Sequence, residues 1–582
     1  WYATLCRQCP TSEGVLVRVM EGRAKKIEGN PDYPMNRGKH MARCEAALQA
    51  LYHPDRLPGP LHRRRKGGDL VPLGWEQALD LLVARLRDLR REPRSVLVVT
   101  GPLRGHLALV VDRFVKAYPA RHLALEPMEQ TVLRTAIKRV FRQDRLPAFD
   151  IENAHYVLSF GADFLSTWLS PTHYAAQYGE FRQGKGRGRG VLAQVEPRLS
   201  LTGANADQWV PIRPGTEGVL AWSIAYVLMR EGLAEPGAAR ALTEGRGASH
   251  LEAFAPGRAE QITGVSAQRI EELARAFGKE RPSLALGGGP AAATTNGLFN
   301  LVAVYSLNLL VDNIGKKGGV LFNPPPPLDL PAFTGAPLAL WQKEVERARQ
   351  QGAPKAVLVY GADPAYSLPP SVGFQEVLEK AGFVVSFSSF LDDTASLADL
   401  VLPVHTAMEE WGDDIPDPGL GYPVVGLQQP VVRPFLEGRP EGGTRPFPDI
   451  LLTVAEELGP DVKQALPWDT FQDLLREGAR RLFETRRGSV RAASLEEFWV
   501  KALGQGGWWD PEARAPAPRI PPPPAPRQPV LPGFQGDGFH LIPFSSNLME
   551  GQAAHLPWLQ ALPDPLTTVT WATWAEVSLT DA

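Results

Sequence analysis

Cys6-Arg7-Gln8-Cys9-Pro10 opens a stretch that runs through Gly29-Asn30-Pro31-Asp32-Tyr33-Pro34 and Asn36-Arg37-Gly38 to Arg43-Cys44 and closes on Leu51-Tyr52-His53-Pro54-Asp55-Arg56-Leu57. Two cysteines separated by two residues in a tight turn, with a distant cysteine after Asn-x-Gly, are how a chain wraps a metal or an iron–sulfur centre. Thiolates must converge from two loops, and glycine and proline let the backbone fold around the inorganic core. The turn residues stand where such a wrap needs them. The thiolates are fewer than it needs, since Cys6, Cys9 and Cys44 are the only cysteines of the chain.

Working outward, the 582 residues are enough for several domains and ample cores, and the formal charge of −2 gives no field for nucleic acid. The basic runs Arg63-Arg64-Arg65-Lys66 and Lys185-Gly186-Arg187-Gly188-Arg189 are short or broken by glycine, and read as solvated loops. Three cysteines rule out a disulfide scaffold without fixing the redox compartment. No apolar run is long enough to cross a bilayer as a helix. The chain begins at Trp1, which fits either a removed export signal or a start inside a longer polypeptide.

Alternation in Val15-Leu16-Val17-Arg18-Val19 and the run from Ala24 to Asn30 predict short strands, making residues 1–62 a small β-rich segment. Leu79, Leu82, Val83, Leu86 and Leu89 recur at helical spacing and predict an amphipathic helix over Trp75 to Leu89. Apolar runs at Ser95–Gly101, Tyr156–Gly161, Gly190–Val195, Ser283–Gly287, Ala356–Gly361 and Phe383–Phe387 alternate with helical patterns. Such strands predict a parallel α/β architecture with ligand loops at their carboxyl ends. The expected organisation is an α/β domain over 63–150, a second over 151–385 and a return to the first over 386–513. A Pro-rich linker over 514–533 follows, then the start of a truncated C-terminal β-barrel over 534–582, from strand-like pieces at His540–Phe544 and Thr567–Trp571. Gly287-Gly288-Gly289-Pro290 reads equally as a strand-to-helix turn or a phosphate cradle.

The opening stretch resembles the iron–sulfur segment of the molybdopterin oxidoreductase, or dimethyl-sulfoxide-reductase, family. Further blocks in the family's order are Glu196-Pro197-Arg198, Ala206–Glu217, Asn308–Gly319, Gly361-Ala362-Asp363-Pro364 and Thr394–Pro403. Within the family, the opening segment and the Asp150–Pro171 stretch look most like the large iron–sulfur subunit of alternative complex III. The family pattern is Cys-x2-Cys-x3-Cys with a fourth Cys after Asn-x-Gly. The resemblance therefore places remnant cluster positions at Cys6, Cys9, Glu13 and Met41, with Cys44 displaced by one helical turn. Carboxylate and thioether are poor cluster ligands. Cys6 and Cys9 then read as a relic pair, or with Cys44 as a three-ligand site.

The resemblance also assigns pterin-nucleotide positions to Glu196, Arg198, Gly215, Glu217, Gly361, Asp363 and Asp399, drifted from the family's types and expected to be empty. The loop Leu125–Thr131, where relatives supply a molybdenum or tungsten ligand, offers only Glu126, Glu129 and Thr131 as oxygen donors. Lone His155 and His173 nearby read as ordinary core or surface residues. Arg43 stands where relatives carry a basic residue between cluster and pterin.

What the resemblance implies is a non-catalytic scaffold subunit of a quinol-oxidising membrane complex, without molybdenum and with no cofactor in this region. Its partners would be a ferredoxin-like iron–sulfur region or subunit, integral-membrane quinol-binding subunits and c-type cytochrome subunits, on the periplasmic side of a bacterial inner membrane. The competing expectations are an active enzyme on a sulfur compound such as polysulfide or thiosulfate, holding molybdopterin guanine dinucleotide, and a binding module with no redox partner.

Overall fold

The computed structural model describes residues 1–8, 11–92, 95–184, 188–516, 522–533, 538–546, 548 and 553–581. Strands Tyr2–Cys6, Glu13–Met20 and Arg23–Gly29 form an antiparallel sheet, with the central strand paired to both neighbours. Their alternation puts Val15, Val17 and Ile27 on one face, where they bury against Cys44 and Leu51 of the Ala42–Tyr52 helix. This is the small β-rich segment the alternation predicts.

A seven-stranded sheet forms the first α/β body. Its order is Leu70–Pro72, Leu61–Arg63, Leu400–Val401, Val384–Phe387, Ala356–Tyr360, Val96–Thr100 and Arg121–Ala124. The last five strands are parallel, and the first two join antiparallel at the edge. All five residues of Val96–Thr100 are buried, as expected of a strand covered by helices on both faces. The Trp75–Leu89 helix turns Ala78, Leu82, Val83 and Leu86 to one face of this sheet, and Trp341, Val345 and Phe374 cover the other.

The second body carries a four-stranded parallel sheet in the order Gln208–Pro211, Val191–Glu196, Tyr156–Phe160, Ser283–Gly287. The helices Glu217–Arg230 and Gly297–Leu310 are apolar nearly all round and lie in its core. A further antiparallel sheet joins Gly412–Asp414, Val424–Gln428 and Gly507–Trp509.

One boundary and one stretch differ from expectation. Strands Ala356–Tyr360 and Val384–Phe387 pair with each other, and Ala356–Tyr360 pairs with Val96–Thr100, so the return to the first body precedes residue 356, not 386. A fully apolar strand carries no mark of which sheet it joins, because both of its faces bury in either one. Among the described residues of 534–582 there is one short helix, Pro557–Gln560, and no strand; His540–Phe544 and Thr567–Trp571 are extended or turn segments.

Candidate functional site

The carboxyl ends of four parallel strands in the larger sheet open on one cleft. Gly101 to Arg104 follow Thr100, Glu126 follows the Arg121–Ala124 strand, Gly361 follows Tyr360, and Ser388 follows Phe387. Loops at the carboxyl ends of parallel strands are where an α/β sheet receives ligands. Cys6, Arg7, Gln8 and Arg43 of the N-terminal segment form the roof, Thr167 and Leu169 come from the second body, and Ala553 to Leu556 close one side. The cleft measures about 720 Å³, within the range of roughly 300–1,000 Å³ that holds a cofactor or a drug-sized ligand.

Its polar lining is mostly paired. Arg104 Nε donates to Asp414 Oδ1 at 2.7 Å, and Arg134 Nη1 donates to Asp417 Oδ2 at 2.7 Å. Glu410 is 6 % exposed, its Oε2 accepts no hydrogen bond, and Arg7 Nη1 stands 4.0 Å from its Oε1. Burial pushes the Glu410 carboxyl up to about 8, with the Arg7 charge opposing. Its neighbour Glu409 turns the other way. Burial raises its carboxyl, but two hydrogen bonds from buried Arg56, at 2.7 and 3.1 Å, outweigh this and hold it below the ordinary range. Sequence reasoning missed Glu410 because adjacent glutamates in a loop carry no periodic signal.

The iron–sulfur-type segment is knit through Glu13. Its Oε1 accepts the Thr172 hydroxyl at 2.5 Å, and its Oε2 accepts the Cys44 thiol at 3.1 Å and the Met41 N–H at 3.3 Å. Cys6 and Cys44 are both buried, and Cys9 lies outside the described residues. Three cysteines do not supply the four thiolates of a cubane cluster. Among the described residues no three His, Cys, Asp or Glu side chains are placed to hold a metal ion. The donor set therefore does not fit four-thiolate ligation. Arg43 is buried with its Nη1 donating to the Leu548 carbonyl at 2.6 Å, below the cluster segment and facing the cleft.

The seven positions that the resemblance assigns to a pterin nucleotide lie on both bodies, and their carboxylates turn inward. Glu196 Oε1 accepts the Ser200 N–H at 2.7 Å and its Oε2 accepts the Gln194 amide at 2.9 Å. A Cβ on Gly203 would lie 2.2 Å from that carboxylate, so glycine lets the turn close on it. Burial pushes the Glu196 carboxyl up, with the Ser200 N–H opposing. Glu217 is fully buried with Asn300 Nδ2 donating at 3.1 Å, and burial pushes it up to about 7. Asp363 Oδ1 caps its helix and accepts the Thr394 N–H at 3.0 Å and hydroxyl at 2.6 Å. Asp399 Oδ2 accepts the Val384 N–H at 2.8 Å and lies 2.9 Å from Lys66 Nζ. Gly361, at φ +61°, lies on the cleft. Gly215 and Arg198 are covered by later parts of the chain.

In the loop after the Arg121–Ala124 strand, Glu126 lines the cleft and its Oε2 accepts the Gly335 N–H at 3.0 Å; burial pushes its carboxyl up. Glu129 instead accepts the Thr131 N–H and closes its own turn. His173 is a core residue, its Nδ1 bonded to the Met35 carbonyl at 2.9 Å, and burial lowers it to about 4. Gly288 and Gly289 form a turn under Trp168, where a Cβ on Gly288 would lie 2.2 Å from the indole nitrogen.

The model of the molybdopterin oxidoreductase family matches residues 33–437, and that of the molybdopterin oxidoreductase Fe4S4 domain matches residues 1–53. The menaquinone reductase molybdopterin-binding-like subunit of Nitratidesulfovibrio vulgaris is 30 % identical over 482 residues, covering 82 % of this chain and 67 % of that protein. The arsenate respiratory reductase molybdopterin-containing subunit of Shewanella sp. is 26 % identical, over 77 % of this chain and 60 % of its own length. The thiosulfate reductase molybdopterin-containing subunit of Salmonella typhimurium is 24 % identical, over 85 % and 68 %. The chain thus spans about two thirds or less of these relatives. Acetylene hydratase from Pelobacter acetylenicus shares the fold, with a TM-score of 0.68 at 18 % identity over 82 % of this chain and 71 % of that one.

These matches correct one expectation. A region with no cofactor is overturned by the two matched models, which put a domain of the Fe4S4 type and one of the molybdopterin type within this chain. The departures at Glu13 and Met41 are departures inside a recognisable cluster domain, not the loss of it. The cleft's volume suits a bulky group, whereas the carboxylates of Glu196, Asp363 and Asp399 accept hydrogen bonds from within the chain. With its matched models spanning residues 1–53 and 33–437, the chain belongs to the molybdopterin oxidoreductase family.

Proposed function

We propose that this chain is a molybdopterin-oxidoreductase-type subunit of a membrane respiratory complex that moves electrons between quinol and a redox partner, of the alternative complex III type. The observation that carries the reading is the 30 % identity, over 82 % of the chain, to a menaquinone reductase subunit. In this reading the chain contributes shape and docking surface. Its partners are a ferredoxin-like iron–sulfur region or subunit, integral-membrane quinol-binding subunits and c-type cytochrome subunits, at the periplasmic face of a bacterial inner membrane. Among the described residues no helix is long and apolar enough to cross a membrane. Thiosulfate reduction is the second reading, favoured by the match to a thiosulfate reductase subunit.

The experiment is affinity purification of the full-length protein from solubilised membranes of its own host, followed by assays with quinol and with thiosulfate. Co-purification of integral-membrane subunits with quinol-dependent electron transfer is the expected result. Thiosulfate reduction without quinol oxidation would replace the first reading with the second.

A further inference from the structure

The hairpin at the edge of the larger sheet ends in a tip that the chain fastens from within. Strands Leu61–Arg63 and Leu70–Pro72 pair antiparallel, and Arg64-Arg65-Lys66-Gly67-Gly68-Asp69 runs between them. Gly67, at φ +70°, and the Gly68 N–H donating to the Arg65 carbonyl at 3.0 Å close the turn. Arg63 holds the turn down. Its Nε donates to the Ala398 carbonyl at 3.1 Å, its Nη2 to the Ser396 carbonyl at 2.6 Å and its Nη1 to the Gly68 carbonyl. Lys66 Nζ lies 2.9 Å from Asp399 Oδ2. Two of the four cations thus fix the tip on the body. The other two, Arg64 and Arg65, are exposed, and among the described residues their side chains have no hydrogen-bond or ion-pair partner. Residues 64–69 lie outside the lining of the cleft.

The tip closes the cationic part of the chain. Residues 1–66 hold thirteen Lys and Arg against six Asp and Glu, and the remainder has the opposite surplus, so an acidic surface is drawn to this part before the rest. Recognition of anionic lipid gathers about four to eight clustered cations, and surface anchors add apolar side chains that enter the interface. Here two cations are free, and residues 63–69 include no apolar side chain other than glycine. Arginine's planar fork matches a carboxylate through two parallel bonds, and a turn already fastened in place loses little freedom on engaging one. Resting on the reading of the chain as a subunit of a larger assembly, we propose that Arg64 and Arg65 form a docking point for acidic side chains of another protein subunit of that assembly.

The test uses the full-length protein in its host's membranes, carrying Arg64→Lys/Arg65→Lys and treated with a water-soluble carbodiimide, which joins an amine to a carboxylate in direct contact. The expected product joins position 64 or 65 to an Asp or Glu of another subunit. A crosslink between Lys66 and Asp399 within the chain reports that the reagent has reached the tip. Arg64→Glu/Arg65→Glu should lower recovery of that subunit about tenfold, with the unfolding midpoint of the purified chain unchanged. Equal recovery with the charge-reversed variant, or crosslinks from 64 and 65 that reach only this chain, overturns the proposal and leaves the respiratory reading standing. Failure of any subunit to co-purify with the wild type overturns both. Flotation with phosphatidylglycerol vesicles that the wild type binds and the charge-reversed variant does not would place the tip on lipid, and overturns the proposal as well.

Discussion

Glu410 sits in the cleft wall with a buried carboxyl oxygen that accepts no hydrogen bond, and replacing it by glutamine removes its charge while keeping its shape. Its carboxyl moves from an ordinary 4.5 to about 8 on folding, with burial as the cause. Between those values the folded chain keeps a proton that the unfolded chain releases, so each rise in pH weakens the fold. The stability this group gives is complete below pH 4.5 and is lost as pH climbs to about 8. At about 1.4 kcal/mol per pH unit, the loss between pH 5 and pH 8 amounts to roughly 3 to 4 kcal/mol. Glu410→Gln has no such dependence. Urea unfolding of both proteins at pH 5 and pH 8 should show the variant gaining on the wild type by about that amount across the interval. A difference that stays flat with pH would mean that Glu410 is ionised throughout, its charge met by Arg7 at closer range than 4.0 Å. The reasoning from burial would then be wrong.

Two further substitutions test the packing around the site. Glu13→Ala removes the common acceptor of the Thr172 hydroxyl, the Cys44 thiol and the Met41 N–H, and should cost about 2–4 kcal/mol in urea unfolding while loosening the Ala42–Tyr52 helix in hydrogen exchange. Gly29→Ala places a Cβ 2.4 Å from the Gly38 carbonyl carbon and oxygen, which are backbone atoms that cannot swing aside, and should destabilise the N-terminal segment by about 1–3 kcal/mol, read as a lower unfolding midpoint.

Much of the fold was legible because period and apolarity are local. Each apolar run at 96–100, 156–160, 191–195, 283–287, 356–360 and 384–387 is a strand, and the helix over Trp75 to Leu89 has those bounds. What local pattern could not carry was which sheet a strand joins, as Ala356–Tyr360 shows. Nor could it show that the strand-like pieces His540–Phe544 and Thr567–Trp571 would form no strand, because pairing depends on a partner edge. Within Tyr33–His40, Tyr33, Met35 and Asn36 are buried, which no periodicity of that turn-rich run announces. Arg37 reaches across to Glu152 at 2.6 Å, which no spacing rule would pair. The candidate site was legible as positions and not as directions. Motifs single out Asp363 and Glu196 as positions, while the turn of each carboxylate follows from the Thr394 and Ser200 donors, which those motifs do not contain.

Those inward turns bear on how the loops keep their form. A loop that leaves N–H groups pointing into a pocket depends on a ligand or water to meet them, and binding then stabilises the whole fold by mass action. Here the donors of Ser200, Thr394 and Val384 are met by Glu196, Asp363 and Asp399, and Arg198 is met by Glu576. The same holds at the cluster segment, where Glu13 collects the Cys44, Met41 and Thr172 donors. Each loop is held by hydrogen bonds to charged acceptors, worth about 1.5–3 kcal/mol apiece, so its shape does not wait on a bound group.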